Sequence, residues 1–373
     1  MLPVLRRGLS FGLPTALALA ALTACGGSSE DPTAPPTLEP SCAIVDTDFD
    51  IDDMMAIPLV IGNQHVAALV VSEGYAKADL GAAALSRLVT TVGQRAIPVV
   101  VGEATNLSDS TIVSEWGDFV LQYRDLMHRL NDSLPAPLPP PPDAGDYVAR
   151  VGESVASCQS VDVLVIGTFS SFVNYAPALR EKLGKVVVMG KPFEGDTTQP
   201  AMKHSFNCKY DIAACEKVRK EQLPGLDYAY VDVRRSDCDA TPNADGCLGK
   251  VYGPNGTMVK GLVAEGLPGT LRTVLLGNPD SWNIDNWPNA TYGGRSLLWD
   301  QSAALYLVNP DLFEMVEGNG GHFETTSSPD AYRQAWTDAT NAAATFKLTS
   351  TSGRCAGSIG RTGGLGRRVD SRS

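Results

Sequence analysis

The sequence predicts an α/β domain with a mostly parallel central sheet and helices on both faces. Three observations predict it. Short apolar, β-branched runs alternate along the chain with stretches of helical periodicity. The apolar runs lack strict two-residue alternation, as strands buried on both faces require. Repetition of strand, helix and strand then implies right-handed crossovers within one sheet.

The elements follow in order. Residues 43–48 read as a short buried strand and residues 52–61 as a helix. Residues 66–72 form the next strand, 79–92 a helix, and 97–101 a third strand. Residues 115–130 read as one helix, with apolar positions three to four apart. Strands at 161–166 and 185–189 flank a helix at 175–183, and residues 226–233 make a further strand. Another helix covers 300–308. Residues 134–146 contain four consecutive prolines, Pro139 to Pro142, and must form an extended surface loop or lid, because proline cannot continue a helix. Residues 277–294 are rich in Trp, Asn, Asp, Pro and Gly and read as a long loop.

The ends carry other signals. Arg6 and Arg7 precede an apolar stretch at 9–22, too short for a comfortable permanent span. It ends in Leu22-Thr23-Ala24-Cys25, which resembles the lipobox of bacterial lipoproteins. That resemblance implies a signal peptide at 1–24 and a diacylated Cys25 that tethers a soluble body to a membrane. Gly26 after the cysteine resembles lipoproteins sent to the outer membrane, facing the periplasm. An ordinary cleaved signal peptide with a chance cysteine is the rival reading. Residues 25–41 are polar and Pro-rich and read as a disordered tether; residues 349–373, with five Arg and no apolar run, read as a disordered tail. Residues 42–348 remain, enough for one large domain with a sizeable core.

The formal charge of the whole chain is -12, and residues 1–24 contribute two Arg and no acids. Nucleic acid is therefore a poor partner, since phosphate neutralisation needs Lys and Arg. Acidity suits metal capture and solubility. A homo-oligomer is left open. Of eight cysteines, Cys208 and Cys215 are neighbours in sequence, as are Cys238 and Cys247, and each pair could close a short disulfide loop. No C-x-x-C occurs and there are four His, which counts against zinc.

Residues 46–53 are the most informative segment. Asp46, Asp48, Asp50, Asp52 and Asp53 lie where a buried strand ends and a helix begins. Ligands bind at the carboxyl ends of strands in α/β sheets. Carboxylates this close repel and raise one another's pKa unless a cation intervenes. A hard divalent ion with oxygen ligands, Ca²⁺ or Mg²⁺, resolves the conflict. An acidic turn that only caps a helix would explain one Asp or two, not Asp46 and Asp48 as well. The spacing is not that of an EF-hand, because no helix precedes it.

Asp46-Thr47-Asp48 with Asp52-Asp53, followed by Met54-Met55-Ala56-Ile57, resembles the N-terminal signature of the inosine–uridine-preferring nucleoside hydrolase family. Four later stretches resemble that family in the same order: residues 164–171, 185–190, Ser205-Phe206-Asn207 with Asp211, and 293–300. The resemblance runs from about Cys42 to Glu314. It implies Ca²⁺ bound by Asp48, Asp53, Asp300 and the Ile166 carbonyl, with Asp52 as general base. Asp46 would support the site from behind. Asn207 would bond a ribose. The substrate would be a nucleoside or related ribosyl compound, cleaved at its N-glycosidic bond. Such a bond breaks through an oxocarbenium-like state that a metal-bearing carboxylate pocket can stabilise.

The departures are specific. Trp299 stands where family members carry a histidine acid, Ser205 replaces a glutamate, and Asp50 occupies a usual glycine position. Ser72-Glu73-Gly74-Tyr75 replaces an Asn-containing loop, with Glu73 a candidate sugar ligand. Trp282, Trp287 and Trp299 are candidates for stacking on a base, and their rival role is plain packing. Among His65, His128, His204 and His322, His204 lies nearest the pocket segments and is a candidate acid. A second reading is a non-catalytic, calcium-dependent protein that binds a sugar or nucleoside at the surface. No G-x-S-x-G elbow or phosphate-binding G-x-x-x-x-G-K motif occurs.

Overall fold

The computed structural model describes residues 39–91, 97–132, 145–190, 205–232, 257–277, 299–317 and 321–344. The chain divides into two units, Met1–Thr37 and Leu38–Ser373, and every described residue lies in the second. The expectations for Cys25, the four prolines, His204, Trp282, Trp287, Cys238, Cys247 and the tail fall outside the described residues, as does the tether through residue 38; its last three residues, 39–41, expected to be disordered, instead open the first strand, Glu39–Thr47. Among the described residues, no helix is long and apolar enough to cross a membrane.

Eight strands form one sheet: β1 (Glu39–Thr47), β2 (Val66–Val71), β3 (Val99–Val101), β4 (Cys158–Val165), β5 (Leu183–Met189), β6 (Asp227–Val231), β7 (Phe313–Val316) and β8 (His322–Thr325). Their order is β3-β2-β1-β4-β5-β6-β8-β7. All neighbours are parallel except β7 and β8, so the expected mostly parallel sheet is what forms. From β1 the chain builds outward through β2 to β3. It then returns across β1 to β4 and builds the other way. Such a reversal of strand order opens a crevice at the carboxyl ends of the two central strands. Here those ends belong to β1 and β4.

Successive residues of β1 enter opposite halves of the core. Ala43 and Val45 pack on one side, with Leu69 of β2 and Leu164 of β4. Cys42 and Ile44 pack on the other, with Val163, Phe172 and Tyr175. The first half is covered by α1 (Ile51–Asn63), α2 (Ala78–Thr91), α10 (Gly266–Gly277), α11 (Trp299–Val308) and α12 (Pro329–Asn341). The second is covered by α5 (Tyr147–Ser154), α6 (Phe172–Leu179) and α8 (Ile212–Lys217). Every residue of α1 through Gly62 is buried, as an apolar helix enclosed on all sides must be. Trp336 of α12 is fully buried, and its indole N–H donates to the Met55 carbonyl at 3.2 Å, fixing α12 to α1.

Three expectations need correction. Residues 115–130 are not one helix. α3 (Asp109–Trp116) and α4 (Phe119–Asp132) are separated at Gly117, whose φ of +80° ends the first. The helix expected at 175–183 starts at Phe172 and stops at Leu179, because Leu183 already belongs to β5. The β7–β8 pair and helices α5, α7 (Phe206–Tyr210), α8, α9 (Thr257–Lys260), α10 and α12 were not foreseen. The Cys208–Cys215 bridge forms as the spacing suggested. Cys42 and Cys158 form a second disulfide, with Cα atoms 5.8 Å apart, because β1 and β4 lie side by side.

Candidate metal centre

The turn from β1 to α1 spans Asp48, Phe49 and Asp50. Phe49 has a φ of +46°, a left-handed backbone uncommon for a bulky residue, and its ring is fully buried in the core. Asp50 caps α1: its Oδ1 accepts from the Asp52 and Asp53 amides at 2.9 and 3.5 Å. Asp53 reciprocates through Oδ2, which accepts from the Asp50 amide at 2.9 Å, completing a capping box. The Thr47 hydroxyl donates to the other Asp53 oxygen. Local helix chemistry thus draws the Asp50 and Asp53 carboxylates together at the start of α1, while Asp48, expected as a ligand, lies outside the group of converging oxygens.

Asp48 is clamped. Its Oδ2 accepts from the Tyr75 amide at 2.8 Å. A Cβ on Gly74 would stand 2.1 Å from that oxygen, and one on Gly167 would stand 2.5 Å from the Asp48 nitrogen. Both positions therefore need glycine. Asp46 lies one layer deeper, fully buried, with Oδ1 accepting from Ser72 Oγ at 2.7 Å. Ser72 Oγ also lies 2.7 Å from Ser171 Oγ, which ties β2 to the turn after β4.

Asp50, Asp52, Asp53 and Asp300 each offer a carboxylate oxygen, and these four oxygens lie within 4.8 Å of one another. All four residues are buried. Asp300 arrives from the first turn of α11. Among the described residues, no ion pair reaches these aspartates. Burial, and then the Asp53 and Asp52 charges, push Asp48 well above the ordinary carboxylate range. Burial and the Asp52 charge do the same to Asp50 and Asp300. Burial raises Asp52, and pushes Asp53 to about 6 and Asp46 to about 7. Of the four clustered residues, Asp300 has one oxygen, Oδ1, that is buried and accepts no hydrogen bond among the described residues. An all-oxygen, anionic, proton-hungry donor set with an open acceptor fits a hard divalent cation.

The raised values set a direction for stability. Folded-state values above the unfolded ones mean that the folded protein holds more protons between about pH 4 and 7, so stability falls as pH rises through that window. A bound cation replaces the protons and removes the loss. With chelator present, the melting temperature should fall from about pH 5 to about pH 7.5, and added Ca²⁺ should raise it more at the higher pH. Melting that ignores both pH and Ca²⁺ would contradict the charge arrangement.

Ile166 follows β4, and its carbonyl accepts from Asn207 Nδ2 at 2.5 Å. Two residues expected near the ligand are thus brought together. Glu73 is engaged otherwise. Burial pushes its carboxyl up, but Lys77 at 2.6 Å, the Asn106 amide at 2.8 Å and the Tyr210 hydroxyl at 3.0 Å outweigh that and hold it below the usual range. Arg124 joins the network at 3.6 Å. Ser205 Oγ accepts from the Cys208 amide and caps α7. Trp299 opens α11, half-buried against the first half of the core.

Sequence reasoning missed an aromatic group beside Asp48. Tyr75 stacks on Phe206 with ring centroids 4.0 Å apart, and Trp116 meets Phe206 and Tyr210 at 5.5 Å each. These rings come from three separate connections, so no periodic signal marks them. Asp50 was counted in the acidic cluster but given no ligand role, because the resemblance places glycine at its position.

Comparison with known proteins bears on this arrangement. The family described as inosine-uridine preferring nucleoside hydrolase matches residues 43–354, well over half of the chain. The chain belongs to this nucleoside hydrolase family. The match continues past Glu314, where the short motifs stop. Among proteins with curated descriptions, none matches the chain by sequence. Solved nucleoside hydrolase structures share the fold. A purine-preferring ribonucleoside hydrolase from Gardnerella vaginalis is 14% identical, with 81% of this chain and 98% of that one covered and a TM-score of 0.52. A plant nucleoside hydrolase is 17% identical, covered at 82% and 99%, with a TM-score of 0.53. An inosine-uridine preferring nucleoside hydrolase from Bacillus anthracis is 13% identical, covered at 81% and 99%, with a TM-score of 0.52.

Proposed function

We propose that this chain is a calcium-dependent hydrolase that cleaves the N-glycosidic bond of ribonucleosides or a related ribosyl substrate. The observation that carries the reading is the convergence of buried, unpaired-with-cation carboxylates at the strand-order reversal of a nucleoside hydrolase fold. Asp48, Asp53, Asp300 and the Ile166 carbonyl would hold the ion. Calcium there would supply Lewis acidity and a grip for vicinal hydroxyls. Asp52 would take the proton from the water that attacks the anomeric carbon as the C–N bond breaks. Water adds to the sugar carbon, and the bonding electrons leave with the base. Asn207 would bond a ribose hydroxyl while holding Ile166 in place. Asp46, fixed by Ser72, would hold the β1 terminus from behind. Tyr75, Trp116 and Phe206 offer flat faces on which a nucleobase could stack.

The protein is further proposed to be exported and lipid-anchored through Cys25 to the outer membrane, facing the periplasm. Two disulfides among the described residues suit an oxidising compartment.

The test is direct. Purified protein is incubated with purine and pyrimidine ribonucleosides and Ca²⁺, and free ribose is assayed. Ribose should appear with at least one nucleoside and vanish with chelator. Bound nucleoside without ribose would leave the second reading, a calcium-dependent binding protein. Ser205 engaged in a helix cap and Trp299 packed on the core favour that second reading, since neither replaces the family's glutamate or acid.

A further inference from the structure

Asp50 has a role that helix capping does not explain. The resemblance places glycine at this position and assigns it no ligand. Here its backbone is extended, with φ −100° and ψ −159°, and Oδ1 meets the Asp52 and Asp53 amides. Asn or Ser would cap as well, without a negative charge. A carboxylate 6% exposed among Asp52, Asp53 and Asp300 is costly if capping is its whole purpose. Yet one of its oxygens lies within the 4.8 Å group with an oxygen of Asp300, and Asp300 Oδ1 is buried and accepts no hydrogen bond among the described residues.

We propose that Asp50 supplies an additional carboxylate ligand to the cation and sharpens the site's preference for Ca²⁺ over Mg²⁺. One oxygen caps α1 and the carboxylate's charge serves the ion. The proposal rests on the metal-centre reading above. Calcium accepts six to eight oxygens in flexible geometry, whereas magnesium keeps several waters in a tight octahedron, so an extra protein oxygen favours calcium.

The experiment is calorimetric titration of the protein with Ca²⁺ and with Mg²⁺, for the unaltered chain, Asp50→Asn, Asp50→Ser and Asp53→Asn. Asp50→Asn keeps the cap and the shape and removes the charge. It should weaken Ca²⁺ binding by about 10- to 100-fold, weaken Mg²⁺ binding less, and melt no lower than the unaltered protein in chelator. A residue that only caps would leave Ca²⁺ affinity within about twofold, and that result overturns the proposal. Asp50→Ser, a smaller cap, checks the same loss if Asp50→Asn folds poorly. Calcium bound by the unaltered protein and lost in Asp53→Asn, but kept in both Asp50 variants, overturns the role of Asp50 alone. No calcium bound by the unaltered protein overturns the metal centre and this inference together.

Discussion

Replacing Asp52 with Asn is expected to lower ribose release by about 10²- to 10⁴-fold, with Ca²⁺ still bound. The side chain is 6% exposed, on the first turn of α1, facing Asp300. Its amide donates to Asp50, an interaction that Asn preserves. Burial raises its affinity for a proton, and a base whose pKa approaches the working pH accepts protons in the transition state most effectively. Asn has the same shape, caps no differently and cannot accept the proton. The measurement is kcat on the best nucleoside substrate beside a Ca²⁺ titration. Unchanged kcat would remove Asp52 as base. A fall in kcat that follows loss of Ca²⁺ in proportion would make it a ligand instead.

The second large effect concerns stability. Cys42 and Cys158 are buried, 116 residues apart in sequence, and join the two central strands. On the chain-entropy account, a bridge closing a loop of that length stabilises by about 4–5 kcal/mol. Total folding stabilities are on the order of 5–15 kcal/mol, so its loss is severe. Cys208–Cys215 closes a separation of 7 and should contribute about 2 kcal/mol. The Cys42→Ala/Cys158→Ala pair should therefore shift a denaturant unfolding midpoint far more than Cys208→Ala/Cys215→Ala. Equal shifts would show that native strain or residual unfolded structure, not loop closure, governs both bridges.

The two bridges also mark what a sequence can disclose. Cys208–Cys215 was legible because its partners are near neighbours. Cys42–Cys158 was not, because it depends on β1 lying beside β4, and strand order is a property of the whole sheet. The turn at Asp46–Asp53 was legible for a local reason: like charges at the end of an apolar strand need compensation. Asp300 entered only through family resemblance, since nothing local distinguishes it from an acid at a helix start. The single helix read at 115–130 failed because apolar periodicity continues across Gly117 while the backbone does not. The strands β7 and β8 are four residues each, too short to show a pattern. The aromatic group around Phe206 joins Tyr75, Trp116 and Tyr210 from distant connections, which only the fold brings together.

Gly74 and Gly167 press against Asp48 from two sides, with no room for a methyl group on either. At Gly74 the close approach is to the Asp48 carboxylate, whose Oδ2 also accepts from the Tyr75 amide, and at Gly167 it is to the Asp48 backbone nitrogen. If Asp48 holds the proposed ion, the position of that ligand is set in part by the bare backbone of its neighbours, and a side chain added at Gly74 or Gly167 would displace it.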